Sequence, residues 1–330
     1  MSDNPIVGID VSKLKFDVCL LKGQVEKFET FSNDSAGFLE LEKWLKKNKV
    51  KTVEACMEST GPYWQELAEY LHNAGNIVSV VNPTKIKGFR QSELKRSKTD
   101  KIDAGLIARY YRALKPAPWT PMPKEIQTLQ HLERHLDTLK GLRASEKTRL
   151  KNLPDSELLA AYINAHIAFL DQQIASVERA IKQQIKTHPK LQQQYNLITS
   201  IIGVKDVTAT VFLGEIGYHE RFSNTREIET FCGLNPRVFQ SGTSVSKQSR
   251  ISKVGNARVR KALYMPALAA MYFNPQLRDF AARLSAQGKP KRVVIVAVMR
   301  KMLRIICGVL KSGRPYQAEY CSEMPQLMRV

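Results

Sequence analysis

The sequence predicts an α/β domain built on a mixed sheet, followed by a mainly α-helical remainder. Three observations carry this: short apolar runs alternate with helical periods over residues 1–115, heptad-like apolar spacing follows from 129 to 181, and the C-terminal part is basic and helix-patterned. Pro5-Ile-Val-Gly-Ile-Asp10-Val reads as a buried strand whose Gly allows close backbone approach. Residues 16–21 form a second strand, Lys22-Gly23 turns the chain, and residues 25–31 alternate apolar and polar as a half-exposed third. A helix follows over residues 35–47, with Phe38, Leu41, Trp44 and Leu45 at helical spacing. A strand over residues 52–57 then runs directly into Glu58. Pro62 opens a helix through Asn73, Gly75 stops it, and residues 77–81 form a fifth strand closed by Asn82-Pro83.

Three antiparallel strands followed by two βα units is the order of an RNase H-like (RuvC-like) sheet. The next helix begins near Thr99 and runs through Ile102, Leu106, Ile107, Tyr110 and Tyr111, with Asp100 and Asp103 three apart on one face. Four acids therefore stand out: Asp10, Glu58, Asp100 and Asp103. An unpaired carboxylate inside the apolar run around Asp10 costs several kcal/mol, so that position calls for a partner or a metal. Glu58 would also serve as a cap for the following helix, and Asp100 or Asp103 taken singly suits a helix N-terminus. As a set, their oxygen ligands suit Mg²⁺, with Mn²⁺ as a substitute, and such a site stabilises attack and departure at phosphorus.

The formal charge is +20 and the pI about 9.7 over 330 residues, which suits a phosphate-bearing partner. From Arg237 to Arg314 there are 17 Lys or Arg and one acid, Asp279, so most of the excess is local. A second basic stretch contains Lys85, Lys87, Arg90, Lys95, Arg96, Lys98 and Lys101, placed to hold a phosphodiester backbone beside the acids. The absence of a Gly-rich dinucleotide or P-loop fingerprint disfavours a small-molecule enzyme. Five scattered cysteines, 19, 56, 232, 307 and 321, indicate neither a disulfide framework nor a zinc site. There is no signal-peptide pattern, and the apolar run at 293–299 is too short to span a bilayer. The expectation is a soluble cytoplasmic, nucleoid-associated protein with no membrane partner.

Pro116, Pro118, Pro121 and Pro123 predict a stiff linker. After it, Leu129, Leu132, Leu136 and Leu139 form one seam, and Ile163, Ile167, Leu170, Ile174, Val177 and Ile181 another. Pro154-Asp155 separates them, leaving an intramolecular hairpin or an interface with a second protomer; dimerisation is the expectation, since a projecting two-helix hairpin rarely buries both apolar faces alone. Residues 197–217 suggest two short helices joined at Gly203, a helix-hairpin-helix that would set backbone N–H groups and Lys205 against phosphate, although an ordinary helical turn explains Gly203 equally well. Ser241-Gly242 precedes a basic run with Arg250, Lys253, Arg258, Arg260 and Lys261; by composition Ser241 is a turn residue. The expected division is 1–115 for the metal domain, 116–190 for linker and coiled-coil helices, and 191–330 for the C-terminal domain.

Several motifs occur in order along nearly the whole chain: Gly8-Ile-Asp10-Val-Ser-Lys13, Met57-Glu58-Ser-Thr-Gly61, Lys98-Thr-Asp100-Lys-Ile-Asp103-Ala, Gly233-Leu-Asn-Pro236, Ser241-Gly242, Ile251-Ser-Lys253-Val-Gly255-Asn256 and Gly313-Arg-Pro-Tyr316. With them the chain resembles the DEDD transposases of the insertion-sequence class, whose members are bridge-RNA-guided serine recombinases. The resemblance implies that Asp10, Glu58, Asp100 and Asp103 bind metal and that Ser241 is the nucleophile joined to a DNA 5′-phosphate. It also implies a structured noncoding guide RNA that pairs with double-stranded target and donor DNA; with the dimerisation expected from the heptad seams, the assembly expected is a homo-oligomer, either a dimer or a tetramer of paired dimers. One departure is visible, since the helix-hairpin-helix of the family has a second Gly where this chain has Lys205. A junction-resolving nuclease that uses water is the alternative that the acids alone support.

Overall fold

The computed structural model describes residues 4–93, 100–153, 156–222, 224–241 and 245–318, the side chains of 100, 237–241 and 245–250 excepted. The chain divides into two compact units, Met1–Pro121 and Met122–Val330.

In the first unit, β1 (Ile6–Val11), β2 (Lys15–Lys22) and β3 (Val25–Ser32) form an antiparallel meander. Helix α1 (Ser35–Lys47) follows, its N-terminus held by Asp34, which accepts from the Gly37 N–H at 2.9 Å. Strand β4 (Glu54–Glu58), helix α2 (Gln65–Asn73) and strand β5 (Ile77–Val81) complete a sheet of order β3-β2-β1-β4-β5, with β4 parallel to both β1 and β5. Helices α3 (Pro83–Ser92) and α4 (Asp100–Leu114) close the unit. Strand alternation sorts the side chains into two cores. Ile9, Val18, Leu20 and Met57 pack with Phe38, Leu41 and Leu67 from α1 and α2. Ile6, Cys19, Leu21 and Cys56 pack on the opposite face with Ile86 of α3 and with Leu106 and Ile107 of α4.

Helix α3 goes beyond the reading of residues 82–83 as a strand end: Asn82 accepts from the Thr84 N–H at 2.8 Å and Pro83 occupies the first helical turn. The Pro-rich segment also belongs to this unit. Ser79 donates to the carbonyls of Pro116 (3.0 Å) and Ala117 (3.1 Å), the Trp119 N–H donates to Val78 O (2.6 Å), and the Trp119 ring sits edge-on to Trp64. Residues 116–119 thus lie along the outer rim of β5.

The second unit begins with α5 (Lys124–Lys151) and α6 (Glu157–Thr187). They run antiparallel, as the cross-helix ion pairs Lys140–Glu178 and Arg143–Asp171 and the His166–Glu146 contact require, each step up one helix being a step down the other. Their seams meet each other: Leu136, Leu139, Leu170, Ile174 and Ile181 share one core, with Leu132 and Val177 against it. The intramolecular hairpin therefore satisfies the heptad pattern that had suggested an interface with a second protomer. The same core continues into α7 (Pro189–Thr199), α8 (Asp206–Ile216), α9 (Thr225–Phe231), α10 (Ala257–Phe273), α11 (Pro275–Ala286) and α12 (Lys291–Ser312). The helices expected to form a separate segment at 116–190 are thus continuous with the C-terminal part, because α5 and α6 supply one wall of its core. Between α9 and α10, β6 (Pro236–Ser241) and β7 (Val245–Ile251) pair as an antiparallel ribbon. Among the described residues no helix is long and apolar enough to cross a membrane.

Candidate active site

The acids of the first unit converge through face parity. Gly8 and Asp10 on β1, and Cys56 and Glu58 on β4, point to the face covered by α4, because side chains two apart share a face. Gly8 makes the convergence tight. A Cβ there would lie 2.2 Å from Ala104 O and 2.3 Å from Ala108 N, so α4 seats its backbone directly on β1. Asp103, adjacent to Ala104, is buried beside them. Burial pushes the Glu58 carboxyl above its ordinary value; the negative charges of Asp10 and Asp103 add to this, and the Arg90 guanidinium and the Thr60 hydroxyl oppose it. Arg90, assigned to the DNA backbone from sequence, donates to Asp103 Oδ1 at 2.5 Å.

Asp100 begins α4, but its side chain lies outside the described residues, as does all of Lys98. Asp17 is a fifth acid that the sequence reading missed. It is paired in register with Asp10 and buried, and it is held by the Thr30 hydroxyl (2.6 Å) and by Lys15 (3.2 Å). The period-two placement of Asp17 opposite Asp10 was a signal available once the meander was drawn. Among the described residues no three His, Cys, Asp or Glu side chains already form a metal-binding group. The donor set nevertheless fits a hard divalent cation in kind: its atoms are carboxylate oxygens, the charges of Asp10 and Asp103 add to the burial that raises Glu58, and a guanidinium already stands as counter-charge on Asp103. Lys85 is exposed on α3.

In the second unit Ser241 ends β6, so its backbone is strand rather than the turn that composition suggested; its side chain and Gly242 lie outside the described residues. The ribbon is rooted where two of the sequence motifs are laced together. The N–H groups of Ser252, Lys253 and Asn256 donate to the carbonyls of Asn235 (2.9 Å), Gly233 (3.2 Å) and Phe231 (2.7 Å). Gly255, at φ 130°, permits this, since a Cβ would stand 2.2 Å from Phe231 O. Asn256 caps α10 through the N–H groups of Arg258 (3.0 Å) and Val259 (3.1 Å), and donates to Glu215 at 2.8 Å. Burial acts to raise the Glu215 carboxyl, but the paired hydrogen bonds of Arg134 (2.9 Å each), that of Asn256, and the charges of Arg134 and Arg258 hold it below its ordinary value. On the other side, buried Glu229 of α9 accepts from Arg300 (2.8 Å) and Arg304 (2.5 Å) of α12.

These contacts account for several cations assigned to nucleic acid from sequence. Arg258 and Lys261 both reach Asp137 of α5 (2.9 and 2.8 Å), and Arg260 donates to Cys232 O (2.7 Å). Lys253 is exposed at φ 56°, and the Arg250 side chain lies outside the described residues. Lys205 is exposed at the N-terminus of α8, but the close approach made by Gly203 is to Ala270 of α10, from which a Cβ would lie 3.1 Å. Gly203 thus serves the packing of a helical turn. Cys19, Cys56, Cys232 and Cys307 are buried free thiols, each pushed to about 12 chiefly by burial.

The IS110-type DEDD transposase family model matches residues 7–156, and the model described as transposase IS116/IS110/IS902 family matches residues 195–282. The chain is 33% identical over 313 residues to the pilin gene-inverting proteins of Moraxella bovis and Moraxella lacunata, covering 94% of this chain and 97% of each relative. It is 23% identical over 281 residues to a transposase for insertion sequence element IS1328 of Yersinia enterocolitica, covering 75% of this chain and 80% of that one. With both halves matched and a near full-length relative above 30% identity, the chain belongs to the IS116/IS110/IS902 family of transposases, enzymes of DNA strand transfer.

Proposed function

We propose that this transposase is an RNA-guided recombinase that cuts and rejoins strands of an insertion element and its target through a covalent 5′-phosphoserine at Ser241. The Ser241 Oγ attacks a phosphodiester, the P–O3′ bond breaks, the serine proton is lost, and the departing 3′ oxygen takes up a proton. The phosphoserine keeps the bond energy for rejoining, when a 3′ hydroxyl attacks the same phosphorus and releases the serine. Asp10, Glu58, Asp103 and Asp100 would hold Mg²⁺ or Mn²⁺, which when bound stabilises charge developing on phosphate oxygens. The observation that carries the reading is the gathering of Asp10, Glu58 and Asp103 on one sheet face, where their like charges already act on Glu58.

Support for the serine comes from the motif Ser241-Gly242, on a ribbon whose root is fixed by the Gly233-Leu-Asn-Pro and Ile251-to-Asn256 segments. Likeness to pilin gene-inverting proteins supports rejoining as well as cutting, since inversion of a segment needs both. The guide RNA follows from the family resemblance and suits the +16 net charge of residues 237–314, which a double-stranded target, a donor and a structured RNA would all engage in a homo-oligomeric assembly.

A covalent-adduct assay tests this. Protein, Mg²⁺, RNA transcribed from the sequence flanking the gene, and labelled target DNA are combined and resolved under denaturing conditions. A labelled protein band that requires RNA and metal and disappears in Ser241→Ala is the expected result. Cleavage with no adduct would overturn it in favour of a junction-resolving nuclease that uses water.

A further inference from the structure

Strand β2 sets a cation beside the acids that the mechanism above leaves unused. Its residues Lys15, Asp17, Cys19 and Leu21 are two apart and share the face covered by α4. Strand β1 finishes and antiparallel β2 starts at the end of the sheet where parallel β4 delivers Glu58, so Lys15 stands at the same end as Asp10 and Glu58. Asp17 is directly opposite Asp10, which makes Lys15 the diagonal neighbour of Asp10, at a spacing of about 7 Å that a long side chain spans.

Asp17 is unfavourable where it stands. The rest of its buried row, Cys19 and Leu21, is apolar, and like charges directly opposite one another repel. Stability alone does not explain its pairing, since Lys15 keeps 48% of its side chain in solvent and an ion pair with a solvated partner contributes little. What the arrangement does fix is direction. Thr30, opposite Asp17 on β3, donates to Oδ1 at 2.6 Å, and the Lys15 ammonium reaches Oδ2 at 3.2 Å. A charged nitrogen is thereby held at the rim of the acid cluster with room to meet a substrate. Such a cation has work there, because Asp10, Glu58 and Asp103 repel a phosphodiester and Arg90, on the α3 side, already donates to Asp103. We propose that Lys15 is a phosphate-binding residue of the active site, donating from Nζ to a non-bridging oxygen of the phosphodiester under attack, and that Asp17, fixed by Thr30, is its positioning residue. The proposal rests on these acids being the site of strand cleavage, and it holds whether serine or water attacks.

The test compares the full-length wild type with Lys15→Gln, Lys15→Arg, Asp17→Asn, the Lys15→Gln/Asp17→Asn double variant and Lys22→Gln. Lys22 is exposed at the far end of β2 and controls for the loss of one positive charge. In single-turnover cleavage, Lys15→Gln should be slower by roughly 10²-fold, and Lys15→Arg should recover part of the loss. Asp17→Asn should lose less, and the double variant should be no slower than Lys15→Gln, because Asp17 acts only through Lys15. A methylphosphonate at the cleaved link removes the charge that Lys15 meets, so the ratio of wild-type to Lys15→Gln rates should fall towards one. A second readout needs no cleavage: for a labelled duplex bound in Ca²⁺, Lys15→Gln should lower the slope of log K against log salt by about 1, and Lys22→Gln should leave it unchanged.

Lys15→Gln behaving like Lys22→Gln in cleavage and in salt slope would overturn the proposal. So would multiplied losses in the double variant, which would give Asp17 a role of its own. Loss of the Mn²⁺-induced rise in Tm in Asp17→Asn, with the rise kept in Lys15→Gln, would make Asp17 a metal ligand and overturn it as well. Failure of the guided-serine reading would appear instead as cleavage without an adduct, with the dependence on Lys15 intact.

Discussion

Replacing Gly8 by Ala isolates the contact that brings α4 onto the sheet. The added methyl would stand 2.2 Å from Ala104 O, 2.3 Å from Ala108 N and 2.8 Å from Ala108 Cα, all backbone atoms that no side-chain rotation can move aside. Ordinary contact needs 3.4 Å or more, so β1 and α4 must separate by about 1 Å. Overpacking of this kind typically costs about 1–3 kcal/mol. Asp103 adjoins Ala104 and moves with it, away from Asp10 and Glu58, and a displacement near 1 Å in a catalytic constellation lowers rate by roughly 10²-fold. Urea denaturation measures the first effect and a strand-cleavage time course the second. Gly88→Ala is the control: it is exposed on α3 with nothing within 4 Å of an added Cβ, so it should be neutral or stabilise by up to about 1 kcal/mol through helix propensity. Gly8→Ala with wild-type stability and wild-type cleavage would refute the claim that close approach at Gly8 sets the acid geometry.

Two further predictions follow from paired charges. Burial acts to raise the Glu229 carboxyl, but Arg304 and Arg300 hold it below its ordinary value, so its contribution to stability is present above the unfolded Glu pKa and is lost as pH falls through the lowered folded value. Glu229→Gln should therefore unfold at lower urea near pH 7, by about 1–3 kcal/mol, with the gap from wild type narrowing on acidification; a gap independent of pH would contradict the charge origin. Arg90→Gln removes the counter-charge from Asp103, so the metal-free protein should melt lower while the rise in Tm on adding Mn²⁺ becomes larger than in wild type; equal rises would show that Arg90 and the cation do not share the acids.

Much of the first unit was legible because its signals are local. The meander, both βα units and the facing of Asp10 and Glu58 follow from period-two alternation and from where Gly and Pro fall. Helix α3 was not, since only Ile86 is buried along it, which leaves almost no apolar period; the cap signature Asn82-Pro83 was the available sign. The β6–β7 ribbon escaped for a similar reason: Arg-Val-Phe-Gln-Ser and Val-Ser-Lys-Gln-Ser-Arg carry too few apolar residues to alternate. Long-range charge pairs were out of reach altogether. Glu215 finds Arg134, and Glu229 finds Arg300 and Arg304, only after the helices of the second unit have packed, so cations counted as free from composition turn out to be internal ties. The heptad seams were read correctly as seams, but spacing cannot say which seam meets which.

The segment at 116–119 bears on how the first unit can be isolated. An outer strand with open N–H and C=O groups is a template on which other chains add strands and aggregate. At one rim, β3 is guarded by charge, with Glu26, Lys27 and Glu29 flanking Phe28 along an exposed strand. At the other, β5 has no such row in Ile-Val-Ser-Val-Val, and its protection is the chain itself, through Trp119 on Val78 and Ser79 on Pro116 and Ala117. A fragment cut at 115, where the composition changes, would bare that apolar rim and invite insoluble material. One carried through Pro121 keeps the rim covered.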